Sequence, residues 1–321
     1  MTLIERALWH PVATAAEVGA EPAAARLLDE DLVLWRTPSG AAQVWADRCP
    51  HRGTRLSIGH IVAGRLECAY HGWQFGAGGA CAAIPALPGF APAATHSAHA
   101  FAVCEAYGLV WVRLDGVGNG PPALDGVPAR RVLIGPYNVV ASAPRVVENF
   151  LDMSHFPFVH EGSLGGRGKA EVPHYELERG AGGAPVVPRY RAWQPQASAG
   201  ASGGAWVDYR YEVLGPYAAV LFKQAEGKPG SPREAYALWV CPVTPETSRV
   251  WFTQFTSDAE ARDEDLRAFQ DSIFAQDRPI LEAQRPGRLP LAGGEAHCAA
   301  DRTSAAYRGY LRERGITFGV C

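Results

Sequence analysis

The chain has 321 residues, of which 47% are hydrophobic and 20% charged, proportions typical of a globular enzyme that buries a substantial core. Its formal net charge of -3 provides no basic field of the kind that nucleic-acid or anionic-membrane binding requires, so we exclude both partners. Charged residues precede any apolar run at the amino terminus, and no run of about 18 apolar residues follows, so the sequence predicts a cytoplasmic protein.

The first third of the sequence predicts a small antiparallel β domain. Short apolar or alternating runs such as AAQVWADR and YGLVWVRL fill residues 8 to 114, separated by Gly, Pro and Asp clusters. Residues 115 to 128 are rich in glycine and proline and have no periodicity, which favours a domain boundary. We therefore predict two domains, residues 1–116 and 117–321.

For the second domain, the sequence predicts a mixture of strands and helices. A strand is expected at residues 130–142, and alternating runs over residues 183–256 predict a larger antiparallel sheet that is open to solvent on one face. Apolar residues at steps of three and four predict a helix over residues 263–284, and a last helix is expected over residues 301–314. The fold class is therefore α+β.

A first constellation of metal ligands lies in the amino-terminal domain. Cys49 and His51 are separated by one residue, and Cys68 and His71 by two, so each short loop supplies one thiolate and one imidazole. A zinc ion with two cysteines and two histidines is one interpretation. The other is a Rieske 2Fe–2S cluster, in which both cysteines bind one iron and both histidines bind the other. Zinc modules usually have halves of one ligand type, so the mixed halves favour the cluster.

A second constellation lies in the stretch ENFLDMSHFPFVHEG, residues 148–162. His155 and His160 are five residues apart, so on one continuous helix they would point about 140° away from each other. Pro157 disfavours helix and would let the chain bend so that the two imidazoles meet. Asp152, three residues before His155, is expected to share its helical face. The alternative is a pair of hydrogen-bonded core histidines.

A cluster that transfers single electrons is most useful beside a centre that consumes them. Two histidines and one carboxylate hold mononuclear iron with positions left open for dioxygen. The carboxylate is expected on the buried face of helix 263–284, which is defined by Leu266, Phe269, Ile273, Ile280 and Leu281. Asp277 lies on that face, where a carboxylate is costly unless it is paired or bound to metal. Glu282, or an ion pair of Asp277 with Arg278, remains an alternative, and Asp271 is expected in solvent.

Together the two constellations resemble the oxygenase component of the Rieske non-haem iron oxygenases. The family pattern Glu/Asp-Asn-x-x-Asp-x-x-His-x4-His is matched by Glu148, Asn149, Asp152, His155 and His160. Single-subunit members such as vanillate O-demethylase, dicamba monooxygenase and the methylxanthine N-demethylases are most similar, through the segments DRCPHR and AQDRPILEAQ. Ala69 departs from the family, since many members have proline there.

The resemblance implies a Rieske domain followed by a catalytic domain of helix-grip type with a large antiparallel sheet and helices, assembled as a homotrimer. In that ring the cluster of one chain faces the iron of its neighbour, and Asp152 bridges His71 and the iron ligand His155. Asp152 and Asn149 are the candidate catalytic residues. Electrons would come from a separate NAD(P)H-dependent reductase, directly or through a ferredoxin.

The implied function is dioxygen-dependent hydroxylation, or oxidative O- or N-demethylation, of a small aromatic substrate. The alternatives are a ring cis-dihydroxylating dioxygenase with the same ligands, and a non-catalytic iron–sulfur or zinc protein. Residues 180–256 and the loop at 161–172 are expected to line the substrate pocket.

Overall fold

Residues 3–196, 203–225 and 233–321 are described by the structure, a computed structural model. Contacts divide the chain into two units, Met1–Pro121 and Pro122–Cys321. The boundary between residues 116 and 117 stays a prediction. Within the described ranges, no helix has both the length and the apolar composition needed to cross a bilayer.

The amino-terminal unit consists of three small antiparallel sheets with the strand orders β1-β10-β9, β2-β3-β4 and β5-β6-β7-β8. The strands are β1 (His10–Thr14), β2 (Ala23–Leu27), β3 (Glu30–Arg36), β4 (Ala42–Ala46), β5 (His60–Val62), β6 (Arg65–Glu67), β7 (Gln74–Phe75), β8 (Cys81–Ala83), β9 (Ala102–Ala106) and β10 (Leu109–Arg113). Trp35 and Trp45 meet edge to face, 5.2 Å between ring centroids, in a core that also contains Cys49 and Cys68. The antiparallel β domain predicted from the sequence is therefore confirmed.

The carboxy-terminal unit is built on one seven-stranded antiparallel sheet with the order β11-β17-β16-β15-β14-β13-β12. Its strands are β11 (Arg130–Val139), β12 (Glu178–Arg179), β13 (Pro185–Gln194), β14 (Ala205–Gly215), β15 (Ala218–Ala225), β16 (Arg233–Thr244) and β17 (Thr247–Thr256). Its helices are α1 (Ala143–Leu151), α2 (Phe156–Val159), α3 (Asp263–Ala283) and α4 (Arg302–Glu313). Helix α1 packs on β15 and β16, and α3 packs on β11.

Strands β16 and β17 of this sheet are buried on both faces. Along β16 nine consecutive residues, from Glu234 to Pro242, are buried, and β17 is buried over most of its length. The prediction of a sheet open to solvent on one face was therefore wrong for these strands. The run AYALWVCPV is continuously apolar rather than alternating, which is the pattern of a strand covered on both sides.

Helix α3 matches the predicted range almost residue for residue, and Leu266, Ile273 and Leu281 are buried as expected. Ile280 was assigned to the same buried face, but 47% of it is exposed. The reason is that Ile280 borders a solvent-open recess in which Asp152 also lies, so nothing covers the helix there.

A buried ionic network joins α1 to α4. The guanidinium of Arg308 donates to both carboxylate oxygens of Glu148, at 2.6 and 2.8 Å, and to Glu295 at 2.5 Å. Arg145 donates to the other oxygen of Glu295 at 2.6 Å. Since hydrogen bonds between ionised groups are about twice as strong as neutral ones, the network fixes the carboxy-terminal end of α1 against α4.

We expect Arg308→Met to lower the free energy of unfolding of this unit by about 3 kcal/mol or more, because Glu148 would be left buried without its bidentate partner. Denaturant unfolding followed by fluorescence measures the change. Arg179→Met is the matched control. Arg179 forms a solvent-exposed ion pair with Glu313, which lies on α4 as Arg308 does. Equal midpoints for the two variants would show that the network contributes nothing particular.

Candidate metal centres

The two loops of the first constellation close in the same way. The backbone N–H of Cys49 donates to the carbonyl of Thr54 at 2.8 Å, and that of Cys68 donates to the carbonyl of Trp73 at 2.9 Å. In each loop, the N–H of the glycine four residues after the cysteine donates to the cysteine carbonyl at 2.9 Å. The same backbone turn is thus used twice, although the histidine stands one position later in the second loop.

Each turn depends on its glycine. Gly53 and Gly72 have φ of 75° and 69°, a left-handed conformation that glycine adopts without the steric cost of a Cβ atom. At Gly72 an added Cβ would also lie 3.2 Å from Cγ of Pro85. These glycines of CPHRG and YHGW therefore fold the loops.

The loops pair like ligands with like. Cys49 and Cys68 are both buried and their thiols are hydrogen-bonded neighbours, while the rings of His51 and His71 are 4.6 Å apart. His51 also stacks on Trp73, with 4.5 Å between ring centroids. A Rieske cluster requires this arrangement, in which the two thiols lie side by side and so do the two imidazoles.

The environment of the two thiols favours a positively charged metal group beside them. Burial raises the pKa of the Cys49 thiol to about 11, with a further rise from Cys68, although the backbone N–H of His51 donates to the sulfur and acts in the opposite direction. Thiolates here are therefore stable only beside metal cations. The ligands of one tetrahedral zinc lie within about 4 Å of one another. In the described ranges these four residues form no such convergent group, which argues against zinc.

The second constellation does converge. One nitrogen of His155, one nitrogen of His160 and one carboxylate oxygen of Asp277 all lie within 4.8 Å of one another. The two Nε2 atoms are 3.2 Å apart, and Asp277 Oδ1 is 3.5 Å from His155 Nε2 and 3.2 Å from His160 Nε2. Three donor atoms at these separations fit one ion about 2.1 Å from each.

The backbone brings the histidines together by a route that differs from the predicted one. Helix α1 ends at Leu151, and Asp152 is extended and accepts hydrogen bonds from the N–H and hydroxyl of Ser154. His155 then caps the one-turn helix α2, which has Pro157 in its first turn, where proline is tolerated. Pro157 therefore does not break a helix between the histidines. Nor does Asp152 share a helix with His155, although the two are hydrogen-bonded.

The outer nitrogen of each imidazole determines what the inner nitrogen offers. His155 Nδ1 lies 3.2 Å from Oδ2 of Asp152, and His160 Nδ1 lies 2.7 Å from Oε1 of Gln276. Both partners are acceptors, so both Nδ1 atoms carry the proton, and both Nε2 lone pairs face Asp277. Two lone pairs and a carboxylate oxygen at this distance repel one another unless a cation lies between them.

The electrostatics of His160 and Asp277 agree with a cation at the point where the three donor atoms converge. Burial by itself lowers the pKa of His160, but the carboxylate of Asp277 outweighs it, and the pKa of His160 is raised overall. The site therefore attracts positive charge. Two imidazoles and one carboxylate that leave positions open are the donor set of mononuclear non-haem iron.

A cavity lined by His155, His160 and Asp277 opens onto the three donor atoms. Strands β14 to β17 and helices α1, α2 and α3 supply its walls. Its aromatic lining is formed by Phe150, Phe156, Tyr209, Tyr211, Tyr236, Phe252, Phe269 and Phe274. Of the ranges expected to line it, the described residues of 180–256 contribute seven side chains, while the loop at 161–172 contributes Leu164 alone. Residues 197–202 and 226–232 lie outside the described part of the chain.

Comparison with known proteins agrees with both centres. The Rieske 2Fe-2S domain family matches residues 8–97, and the vanillate O-demethylase oxygenase C-terminal domain family matches residues 139–315. The methylxanthine N1-demethylase NdmA of Pseudomonas putida is 33% identical over 96% of this chain and 88% of its own length. The chain belongs to the Rieske non-haem iron oxygenases. The resemblance seen in the sequence is confirmed, as are a Rieske cluster and a mononuclear iron as cofactors.

One further relative and a solved structure support the same assignment for this Rieske oxygenase. The vanillate O-demethylase oxygenase subunit of a Pseudomonas species is 28% identical over 88% of this chain and 86% of its own. The solved structure of P. putida NdmA with caffeine has a TM-score of 0.80 at 30% identity, covering 96% of this chain and 90% of that one. The predicted combination of a Rieske domain with a large antiparallel sheet and helices is therefore confirmed.

The alternatives for the third donor can be compared directly. Arg278 donates to Glu282 at 2.9 Å rather than pairing with Asp277, and Glu282 also accepts from the N–H of Val140. Glu282 is therefore occupied away from the histidines, whereas Asp277 is 7% exposed and faces them. Asn149 donates to Asp277 Oδ1 at 3.5 Å, which places it beside the donor set.

Gln276 is the functional candidate that sequence reasoning missed. It immediately precedes Asp277 and belongs to the AQDRPILEAQ segment, but its neighbour His160 is 116 positions away in the sequence. An acceptor on the outer nitrogen of a metal-ligating histidine fixes the ring and its tautomer. Gln276 is thus a positioning residue for His160.

Alanine at His155, His160 or Asp277 is expected to reduce the iron content from about three to about two per chain, because one donor of the mononuclear site is lost. Metal analysis measures this, and an unchanged visible spectrum of the cluster shows that the protein is folded. Asp271→Asn is the control, since Asp271 lies on α3 and accepts from Tyr137. Full iron content in all three alanine variants would disprove the site.

For Gln276→Leu we expect ferrous iron to bind about ten- to a hundredfold more weakly, since His160 loses the acceptor that orients it. Competition with a chelator measures the affinity. Gln276→Glu keeps an acceptor at the same place and should retain affinity close to that of the native chain. The positioning role is refuted if the leucine variant binds iron as tightly as the glutamate variant does.

Proposed function

We propose that this oxygenase removes a methyl group from a nitrogen or oxygen atom of a small, flat aromatic or heterocyclic substrate. Its relatives over most of the chain are named as demethylases of methylxanthines and vanillate. The single observation that carries the proposal is the aromatic cavity that opens onto His155, His160 and Asp277. Flat rings pack well between the aromatic side chains of such a wall.

We propose the following division of roles. Residues 1–116 hold the cluster through Cys49, His51, Cys68 and His71, and residues 117–321 hold iron through the triad His155, His160 and Asp277. When bound, these centres supply electron transfer and the activation of dioxygen. The protein contributes ligand geometry, a shaped cavity and exclusion of water.

The residues around the triad have separate tasks in this proposal. Asp152 holds the proton on Nδ1 of His155, and Gln276 does the same for His160. Asn149 lies beside Asp277 and keeps its carboxylate oriented. The rings of Phe150 and Phe156 line the cavity and keep water away from a substrate methyl group. Hydroxylation of that methyl carbon uses one atom of dioxygen, while two electrons and two protons reduce the other atom to water. The hydroxymethyl product then breaks down to formaldehyde and the demethylated ring.

The chain is an oxygenase component and requires an electron-donating partner. We propose an NAD(P)H-dependent reductase, acting directly or through a ferredoxin, and the cytoplasm as the compartment where both work. We further propose a homotrimer in which the cluster of one chain lies near the iron of the next. Two features support it: His71 and Tyr70 are exposed, and the recess at Asp152 is open to solvent.

Demethylation is favoured over ring cis-dihydroxylation by the extent of the similarity. A 3-chlorobenzoate-3,4-dioxygenase oxygenase subunit is 37% identical, but over only 50% of this chain and 38% of its own length. The demethylases match nearly the whole chain. The non-catalytic alternative is wrong, since the chain is an oxidoreductase of this family.

Incubation with a surrogate reductase and with methoxylated or N-methylated aromatic compounds is expected to yield about one formaldehyde per dioxygen consumed. With labelled dioxygen, one labelled atom should enter the organic products, retained by immediate reduction of the formaldehyde to methanol. A ring diol carrying two labelled atoms, with no formaldehyde, would instead identify a dihydroxylating dioxygenase. The His155→Ala variant is the inactive control.

A further inference from the structure

A buried ion pair lies in the wall of the substrate cavity, and the roles described so far do not use it. Lys223 of β15 stands directly opposite Glu234 of β16, and the two residues are 7% and 6% exposed. Lys223 lines the cavity together with Tyr209, its neighbour on β14. Removing two charges from water is costly, and a buried pair often adds little stability over apolar residues. Its position on the cavity wall therefore needs an explanation.

The ammonium group of Lys223 has donors to spare. Its Nζ lies 3.5 Å from Glu234 Oε2, whereas charge-assisted bonds are normally 2.7–2.9 Å long. Its other contacts among the described residues are the faces of the rings of Tyr236 and Phe269, at 5.4 and 6.0 Å. An ammonium carries three N–H donors, so at least two are available to a ligand in the cavity.

The carboxylate of Glu234, in contrast, is held in place. Its Oε1 accepts from Gln254 Nε2 at 2.9 Å and from the hydroxyl of Tyr236 at 3.3 Å. The Arg308 network in the same unit closes its charges at 2.5–2.8 Å. The loose contact at Lys223 is therefore a feature of this pair and not of buried ions throughout the unit.

A second donor in the cavity wall also lacks a protein acceptor within the described ranges. The hydroxyl of Tyr211 is buried and has no hydrogen-bond partner among the described residues, and Tyr211 lines the cavity. On the sheet it pairs with Leu221, two residues before Lys223 on the same face. A buried hydroxyl without a partner is destabilising, and an acceptor on a ligand would remove that cost.

We propose that Lys223, neutralised by Glu234 and assisted by Tyr211, binds a carbonyl oxygen of a neutral aromatic or heterocyclic substrate. Apart from Lys223, Asn149, Gln270 and the proposed iron ligands, the described cavity lining is aromatic or aliphatic, so a ligand oxygen is the acceptor that completes the ammonium. A carboxylate would bring a second buried negative charge beside Glu234, which disfavours it. This inference rests on the proposed function, because it names the substrate class of the same cavity.

Binding of three matched compounds tests the inference: a dimethoxybenzamide, the corresponding dimethoxybenzoate and dimethoxybenzene. They share the ring and the methoxy groups and differ in having a neutral carbonyl, a carboxylate or no acceptor. Calorimetric titration of the oxidised holoenzyme gives the dissociation constants. We expect the benzamide to bind about ten- to a hundredfold more tightly than either of the others, since it alone satisfies the donors without adding charge.

Variants of the Lys223–Glu234 pair test whether it binds the substrate or only stabilises the fold. In Lys223→Met/Glu234→Gln, both charges are removed, and the preference for the benzamide over dimethoxybenzene should fall by about tenfold or more. In Glu234→Gln, the remaining ammonium should bind the benzoate more tightly than the native chain does. The control is Arg189→Met/Asp208→Asn, which removes an ion pair on β13 and β14 that does not line the cavity.

The outcomes are distinct. Equal binding of the three compounds by the native chain, or an unchanged preference in the double variant, overturns the inference. If the double variant fails to fold, the Glu234→Gln variant decides, and no gain in benzoate affinity overturns it. Formaldehyde release is scored separately: selective binding of the benzamide without formaldehyde refutes the proposed demethylation but not the carbonyl subsite.

Discussion

The convergence of two imidazole lone pairs and one carboxylate oxygen on a single point is the constraint on which the catalytic unit depends. His155, His160 and Asp277 cannot be held at 3.2–3.5 Å in a buried place unless a cation offsets their repulsion. The carboxylate of Asp277 raises the pKa of His160, so positive charge is favoured at this place. A divalent iron held by the three donors would offset the repulsion and would supply the activation of dioxygen.

The fold meets this constraint with elements that are distant in sequence. The one-turn helix α2 sets the spacing of the two histidines, while the twenty-one-residue helix α3 brings Asp277 to them from more than a hundred residues away. Helix α3 also brings Gln276, so one turn of helix supplies both a donor and the residue that orients another donor. Helix α3 packs on β11, at the edge of the sheet whose face lines the cavity.

The sequence predicts those parts of the site whose residues lie close together in the chain or on one helix. The proposed ligands of the cluster stand within three residues of one another in each loop, so their spacing suggests that they form a set. Asp277 was proposed because a carboxylate on an apolar stripe is an anomaly visible in one helix. Gln276 and Lys223 were missed because their partners come from other elements, and no pattern within α3 or β15 marks them. The prediction that Pro157 breaks a helix was wrong, because proline disrupts the interior of a helix but is tolerated in its first turn.

The network of Arg308, Glu148 and Glu295 connects stability to the geometry of the site. Glu148 is in the last turn of α1, and Asp152 follows it by four residues as the cap of that helix. Because Arg308 holds Glu148 from α4, the end of α1 cannot shift without breaking two hydrogen bonds to a charged group. Asn149 and Asp152, which contact Asp277 and His155, are therefore fixed by an interaction that contacts neither. A site that tolerates only about 0.5 Å of displacement needs such support, and this is a physical reason for burying an ionic network one turn away from it.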